Sequence, residues 1–445
     1  MTFAEEFERH CNTYGRPERL ELMLCDLNGV MRGKWLPASD VQKLIKGQVR
    51  LPLSTYAPNI FGEEVAETGL GITIGDPDGI LRAVAGTLCP VPWAEHPAAQ
   101  VMVEMHDPSG EVSALSPRKI LANLVDRFGR LGLRPVVASE LEFYIVQRRA
   151  QTYDAPKPPA GVPNAQNYDL EVLQAQEVIL TEIQTSAAQL GLPIDTLIAE
   201  YGPGQFEINF HHSDDILAAA DTAQIFRRLV RNVVAKHGFE ATFMAKPYAD
   251  FPGNGMHLHA SVLDAKGCNI FDRNSGIHPR LLHAVAGCLE TMRDLQAIFA
   301  PHANSYRRFM PNSFAPCAPN WGIDNRNAGI RLPQTTGPAA RMEHRICGAD
   351  VNPYLAFTAI LGGMLLGIEN KLSAPRSLDD PDFEPAADLT QSWADALERF
   401  AQSDVAADLF GAHYRDIYAA VRRDEMQKLS NIIPPMEYQA YLSRL

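Results

Sequence analysis

Short apolar runs broken by glycine and proline fill the first hundred residues, and those at 21–27, 71–75 and 101–105 read as strands of a small sheet. The pattern changes after the turn at 107–110. Ser116 and Pro117 supply a helix N-cap and a first-turn proline, and Ile120, Leu121, Leu124, Val125, Phe128 and Leu131 follow at helical spacing. A boundary there divides the chain into domains 1–110 and 111–445. Beyond it, helical segments at 169–190, 214–237 and 279–299 alternate with strand-like ones at 135–147, 204–212, 255–264 and 340–347, which predicts an α+β class. The apolar stretch 353–368 falls short of the roughly 20 residues that span a bilayer and reads as a buried core helix.

Four strand-like segments carry charge where a sheet face should be apolar. Side chains two apart share a face, so Glu140 and Glu142 point the same way, and alone that pair reads as a solvated surface. A Gly-Pro-Gly turn separates Glu200 from Glu207, and Asn209 shares the face of Glu207. His257, His259 and Ser261 follow glycines that permit close backbone approach, and Arg341, Glu343 and Arg345 alternate onto one side. Like charges on a central strand are costly unless cations meet them. Five carboxylates with one imidazole fit hard divalent cations, Mg²⁺ or Mn²⁺, better than zinc, because no cysteine accompanies them.

Composition narrows the classes. A net charge of -13, with 46% apolar and 21% charged residues, describes a globular chain and argues against nucleic acid or an anionic membrane as partner. Seven scattered cysteines with no C-x-x-C pair, and an acidic N-terminus with no apolar stretch behind it, lead to the expectation of a reduced cytoplasmic protein. No P-loop or dinucleotide-binding fingerprint is present, so a bound nucleotide must be held by metals and arginines.

In this order the segments resemble the signature blocks of the glutamine synthetase superfamily: Ser139 to Glu142, Glu200 to Glu207, Gly253 to His259, Asn325 to Pro333, and Arg341 to Arg345 followed by Asn352, Pro353 and Tyr354. The resemblance implies a small N-terminal β-grasp domain before a large catalytic domain with a curved antiparallel sheet and surrounding helices. It implies that Glu142, Glu200 and Glu207 hold a metal near glutamate, and Glu140, His257 and Glu343 a metal near ATP. Arg326 and Arg331 match phosphate-facing arginines, with Arg345 and Glu343 beside them in the catalytic group. Gly253, Arg308 and Arg345 match the glutamate site, and Ser261, His259 and Arg341 join Arg326 and Arg331 at ATP. The implied reaction passes through a γ-glutamyl phosphate that an amine displaces. Family members are dodecamers of two hexameric rings with sites shared between neighbouring subunits.

Two departures bear on the amine. The ammonia-using members carry a flap glutamate where this chain has Phe314, and they carry an Asp-Gly-Ser-Ser segment not found here. These features resemble the γ-glutamylpolyamine synthetase branch. Phe314 and Trp321 are therefore expected to wall the amine pocket, with Glu200 beside it and Asp76 or Asp78 meeting a second positive charge. Ethanolamine, methylamine, isopropylamine, an aniline or ammonia stand as alternative acceptors, and a catalytically silent binding paralogue as an alternative of another class.

Overall fold

The computed structural model describes all residues except 108, 311 and 312. Pro108 belongs to the expected boundary turn, and Pro311 and Asn312 to the segment before Phe314; these three lie outside the described residues.

The chain opens with helix Phe3–Tyr14, started by a reciprocal capping box between Thr2 and Glu5. Six strands follow: β1 (Arg19–Cys25), β2 (Met31–Pro37), β3 (Arg50–Pro52), β4 (Asp78–Ala83), β5 (Cys89–Pro90) and β6 (Ala98–His106). They form one sheet ordered β2-β1-β6-β4-β3, with β5 on β6; β1 and β6 run parallel. The strand expected at 71–75 is not there. Ile72–Ile74 forms a 3₁₀ turn between Gly71 and Gly75, both at positive φ (86° and 80°). The flanking glycines close the segment too tightly for a strand, and Ile72 and Ile74 are left exposed.

The second sheet contains β7 (Leu133–Gln147), β8 (Ile194–Ala199), β9 (Gln205–Phe210), β10 (Phe239–Thr242), β11 (Met256–Asp264), β12 (Trp321–Ile323), β13 (Ile330–Gln334) and β14 (Arg341–His344). Its order is β12-β13-β14-β11-β7-β9-β8, with β10 also on β7, and every pairing except β12 with β13 is antiparallel. This is the α+β class expected, with helices against one face of the large sheet.

That face is set by alternation. Leu141, Phe143, Phe206, Ile208, Met256, Leu258 and Met342 are wholly buried, and the rings of Phe143 and Phe206 lie 6.1 Å apart, with Phe226 of helix Ile216–Lys236 packed 6.1 Å from Phe143. The helices start where short polar side chains cap them. Ser116 accepts from the Lys119 amide ahead of helix Pro117–Arg130, and Asp215 accepts from Ala218. Asn352 caps helix Pro353–Asn370, and its amide nitrogen donates to the Asp26 carbonyl at 2.9 Å, tying that helix to the small sheet. Helix Pro353–Asn370 is the buried core element its composition predicted. No helix among the described residues is long and apolar enough to cross a membrane.

Candidate active site

The polar face of the large sheet carries the site because antiparallel registry aligns the charged positions of neighbouring strands. His257 pairs with Glu140, Glu142 with Glu207, Glu343 with His259, and Arg331 with Glu343. Residues directly opposite one another share a face. The two-residue period that buries Phe143 and Leu258 therefore also gathers charges distant in sequence on the opposite side.

His257 stands at the centre. Its Nδ1 lies 3.1 Å from Glu140 and 3.8 Å from Glu343, and its Nε2 lies 3.8 Å from Glu142. Among the described residues, two groups each have their possible ligand atoms within 4.8 Å of one another: Glu140, His257 and Glu343, and Glu142, Glu207 and His257. Glu200 is outside the second group but lines the same cavity, of about 690 Å³. Glu343 is fully buried, with Arg331 at 3.0 Å on one side and Arg345 on the other.

Electrostatics support cation binding. Burial, followed by repulsion from Glu140, Glu142 and Glu200, pushes the Glu207 carboxyl well above its ordinary range. Burial and Glu142 likewise raise Glu200, to about 7. Burial also opposes ionisation of Glu140, but hydrogen bonds from His257 and His259 outweigh it and hold that carboxyl low. The donor set of carboxylate oxygens with one imidazole, strained by its own charge, fits hard divalent cations.

Two glycines make the approach possible. A Cβ at Gly253 would sit 2.4 Å from the Ala245 carbonyl and 2.8 Å from Arg308 Cγ, and one at Gly255 would sit 2.8 Å from His257 Nε2. The Gly255 amide donates to Glu142 at 2.8 Å. Arg308, in the turn Ser305–Arg308, is buried and donates to the Ile346 carbonyl at 2.9 Å. Among the described residues the Nε atoms of Arg308 and Arg345 are buried and find no hydrogen-bond partner. Arg326, exposed, also lines the cavity.

A second cavity of about 630 Å³ shares Glu140 and Asn209 with the first and is lined by His259, Ser261 and Arg341. Arg341 Nε lies 3.4 Å from His259 Nδ1.

The amine-pocket expectation divides. Phe314 stands at the cavity rim, exposed, with its ring 5.0 Å from that of Tyr201. Trp321 does not reach the cavity: it is buried in β12 and its Nε1 donates to the Pro375 carbonyl at 2.8 Å, because a buried indole needs an acceptor. Asp76 accepts from the Ser54 hydroxyl at 2.6 Å and from its amide at 3.2 Å, and Asp78 opens β4 on the surface; neither lines the cavity of its own chain. Sequence reasoning missed Tyr201 and Gln205. The Gln205 amide donates to Gly253 and Asn254 at 3.0 and 3.1 Å, fixing the glycine turn. Both residues lie in the Gly-Pro-Gly hairpin between Glu200 and Glu207, so their position was visible but not their direction.

A strand-faced carboxylate centre, flanked by arginines and opening on two cavities that share Glu140 and Asn209, has the donor set of a site for divalent cations beside an anionic substrate. Residues 114–441 match the family described as glutamine synthetase, catalytic domain. The chain is 36% identical to gamma-glutamylputrescine synthetase PuuA of Escherichia coli (strain K12), over 98% of this chain and 94% of that one. It is 32% identical to glutamate–isopropylamine ligase of a Pseudomonas species, over 96% and 95%. The solved structure of apo GmaS without ligand superposes with a TM-score of 0.84 at 26% identity, covering 97% of this chain and 98% of that one. The chain belongs to the glutamine synthetase family and is an ATP-dependent ligase of that type.

Proposed function

We propose that this enzyme joins the γ-carboxyl of L-glutamate to a primary amine carrying a carbon chain, with a diamine such as putrescine or a polyamine such as spermidine as acceptor. One observation carries the choice: the aromatic pair Tyr201 and Phe314 lines the cavity beside Glu200, with Phe314 at the position where the family resemblance leads one to expect a flap carboxylate in an ammonia-using member. Aromatic faces take up methylenes and attract an ammonium group, so they favour an organic cation. The similarity to gamma-glutamylputrescine synthetase PuuA supports the same reading.

In this reading Glu142, Glu200 and Glu207 hold one divalent cation, Glu140, His257 and Glu343 a second, and the domains divide near residue 110. Bound there, Mg²⁺ or Mn²⁺ would neutralise charge on the transferring phosphoryl group. Arg308 and Arg345, which line the cavity, orient glutamate. Ser261, His259 and Arg341 line the nucleotide side, with Arg326 and Arg331 turned to the phosphates. A γ-carboxylate oxygen of glutamate attacks the terminal phosphorus of ATP and the bond to ADP breaks. The amine nitrogen then forms the bond to the acyl carbon, phosphate leaves, and the amine proton passes to a base in the cavity.

Exposed apolar side chains near the C-terminus, among them Ile432, Ile433, Met436 and Leu442, support assembly into a homo-oligomer, which we propose is the dodecamer of two rings. In that assembly Asp76 or Asp78 meets the acceptor's distal charge from a neighbouring subunit. Seven free cysteines support a cytoplasmic location.

Phosphate release with ATP, glutamate and a panel of amines tests the reading. Putrescine or spermidine is expected to exceed ammonia, and ammonia outperforming every organic amine ends it. A preference for isopropylamine, ethanolamine, methylamine or an aniline would retain the class of reaction and replace the acceptor.

A further inference from the structure

Away from the catalytic cavities, a cleft of about 400 Å³ lies between the β1–β2 hairpin and helix Ile216–Lys236. Its lining contains five cationic side chains, Arg32, Lys34, Arg227, Arg228 and Arg231, and one acid, Glu21. This concentration of positive charge is out of keeping with a chain of net charge -13. Part of it is matched internally. Arg32 pairs with buried Asp26 at 2.9 Å, and Arg228 pairs with Glu21, which also holds Arg19 at 2.9 Å.

The rest is not. Arg227 is only 4% exposed; its Nη1 donates to the Val351 carbonyl at 2.7 Å, while among the described residues Nε and Nη2 find no partner. Burial, with Arg231 alongside, works against its charge. Arg231 is exposed, with its guanidinium 5.4 Å from the Phe243 ring centre, and Lys34 is exposed on β2, donating among the described residues only to the Arg50 carbonyl. The exposed Arg231 and Lys34, with the buried charge of Arg227 lining the same cleft, leave positive charge that an oxyanion would meet through charge-assisted hydrogen bonds to Arg231 and Lys34.

We infer that the cleft between the β1–β2 hairpin and helix Ile216–Lys236 binds a multivalent oxyanion, held by Arg231 and Lys34 with the buried charge of Arg227 behind them. Phosphate esters and polycarboxylates share this chemistry. The site is separate from the nucleotide cavity, and its inner wall reaches the catalytic domain: Arg227 grips Val351, next to Asp350, which accepts from Ser305 in the turn that carries Arg308.

Calorimetric titration of the intact oligomer tests this in metal-free buffer, where the carboxylates of the catalytic cavity repel anions. Tripolyphosphate and citrate are titrated separately into the wild type, Arg231→Glu, Lys34→Glu and, as a control for general charge, Arg130→Glu, an exposed arginine on helix Pro117–Arg130. Saturable binding of one anion per chain is expected, weakened about tenfold or more by either cleft reversal and unchanged by the control. Stronger tripolyphosphate binding identifies a phosphate ligand, and stronger citrate binding a carboxylate ligand. No saturable binding to the wild type, as when a carboxylate of a second copy fills the cleft, overturns the inference. So does equal loss in cleft and control variants.

Discussion

Glu343 shows how much one side chain holds in this enzyme. It is fully buried between Arg331 and Arg345 and belongs to one of the two possible ligand groups. Glu343→Gln is expected to lower kcat by about a hundredfold or more, read in a phosphate-release assay, since an interaction that neutralises transferring phosphate is worth at least that. Undiminished turnover would contradict its assignment. At the rim, Tyr201→Ala is expected to raise KM for the diamine several-fold while leaving KM for ATP unchanged, and Phe314→Glu to shift the ratio of kcat/KM toward ammonia. Asp26 offers a pH test away from the chemistry. Burial, partly offset by Arg32, lifts its carboxyl to about 6, above the roughly 3.9 of an unfolded chain. The folded state therefore keeps a proton that the unfolded state has released, so this group's contribution to stability falls as pH rises from about 4 to 6. Urea midpoints across that window should decline less in Asp26→Asn than in the wild type.

Among the elements, periodicity decided what could be read. β7, β9, β11 and β14 alternate so regularly that the shared faces of Glu140 with Glu142, and of His257 with His259, were legible from residue spacing. Where turn chemistry overrides β-propensity, as between Gly71 and Gly75, the same rule misled. Helix Pro353–Asn370 was legible as buried, but not what it packs against. Gly287 of helix Pro279–Thr291 meets it so closely that a Cβ there would lie 2.1 Å from the Gly363 carbonyl. Gly287→Val should accordingly lower the thermal midpoint by the equivalent of about 1–3 kcal/mol or more, because neither backbone can retreat.

Over the whole molecule, the cations and the fold are expected to depend on one another. Burial, with repulsion from neighbouring carboxylates, raises Glu207 and Glu200, so a bound divalent ion stabilises the native state by mass action. At a hundred times its Kd the gain is about 2.7 kcal/mol. Thermal denaturation with and without Mg²⁺ or Mn²⁺ should show a rise in the wild type that is reduced in Glu207→Gln, and a midpoint indifferent to both metals would count against the centre.

Strand alternation, a local property carried by near neighbours, was enough to put Glu140 with Glu142, His257 with His259, and Arg341, Glu343 and Arg345 on shared faces, while Arg308 and Arg326 were named only through the family resemblance. Registry between strands is not local. Only the folded sheet brings Glu140 opposite His257 and Glu142 opposite Glu207, and makes His257 common to both ligand groups. Direction was equally hidden: Trp321 and Phe314, similar in kind and seven positions apart, end respectively in the core and at the rim. An aromatic side chain goes wherever packing and hydrogen-bond partners accept it, and those partners come from distant parts of the chain.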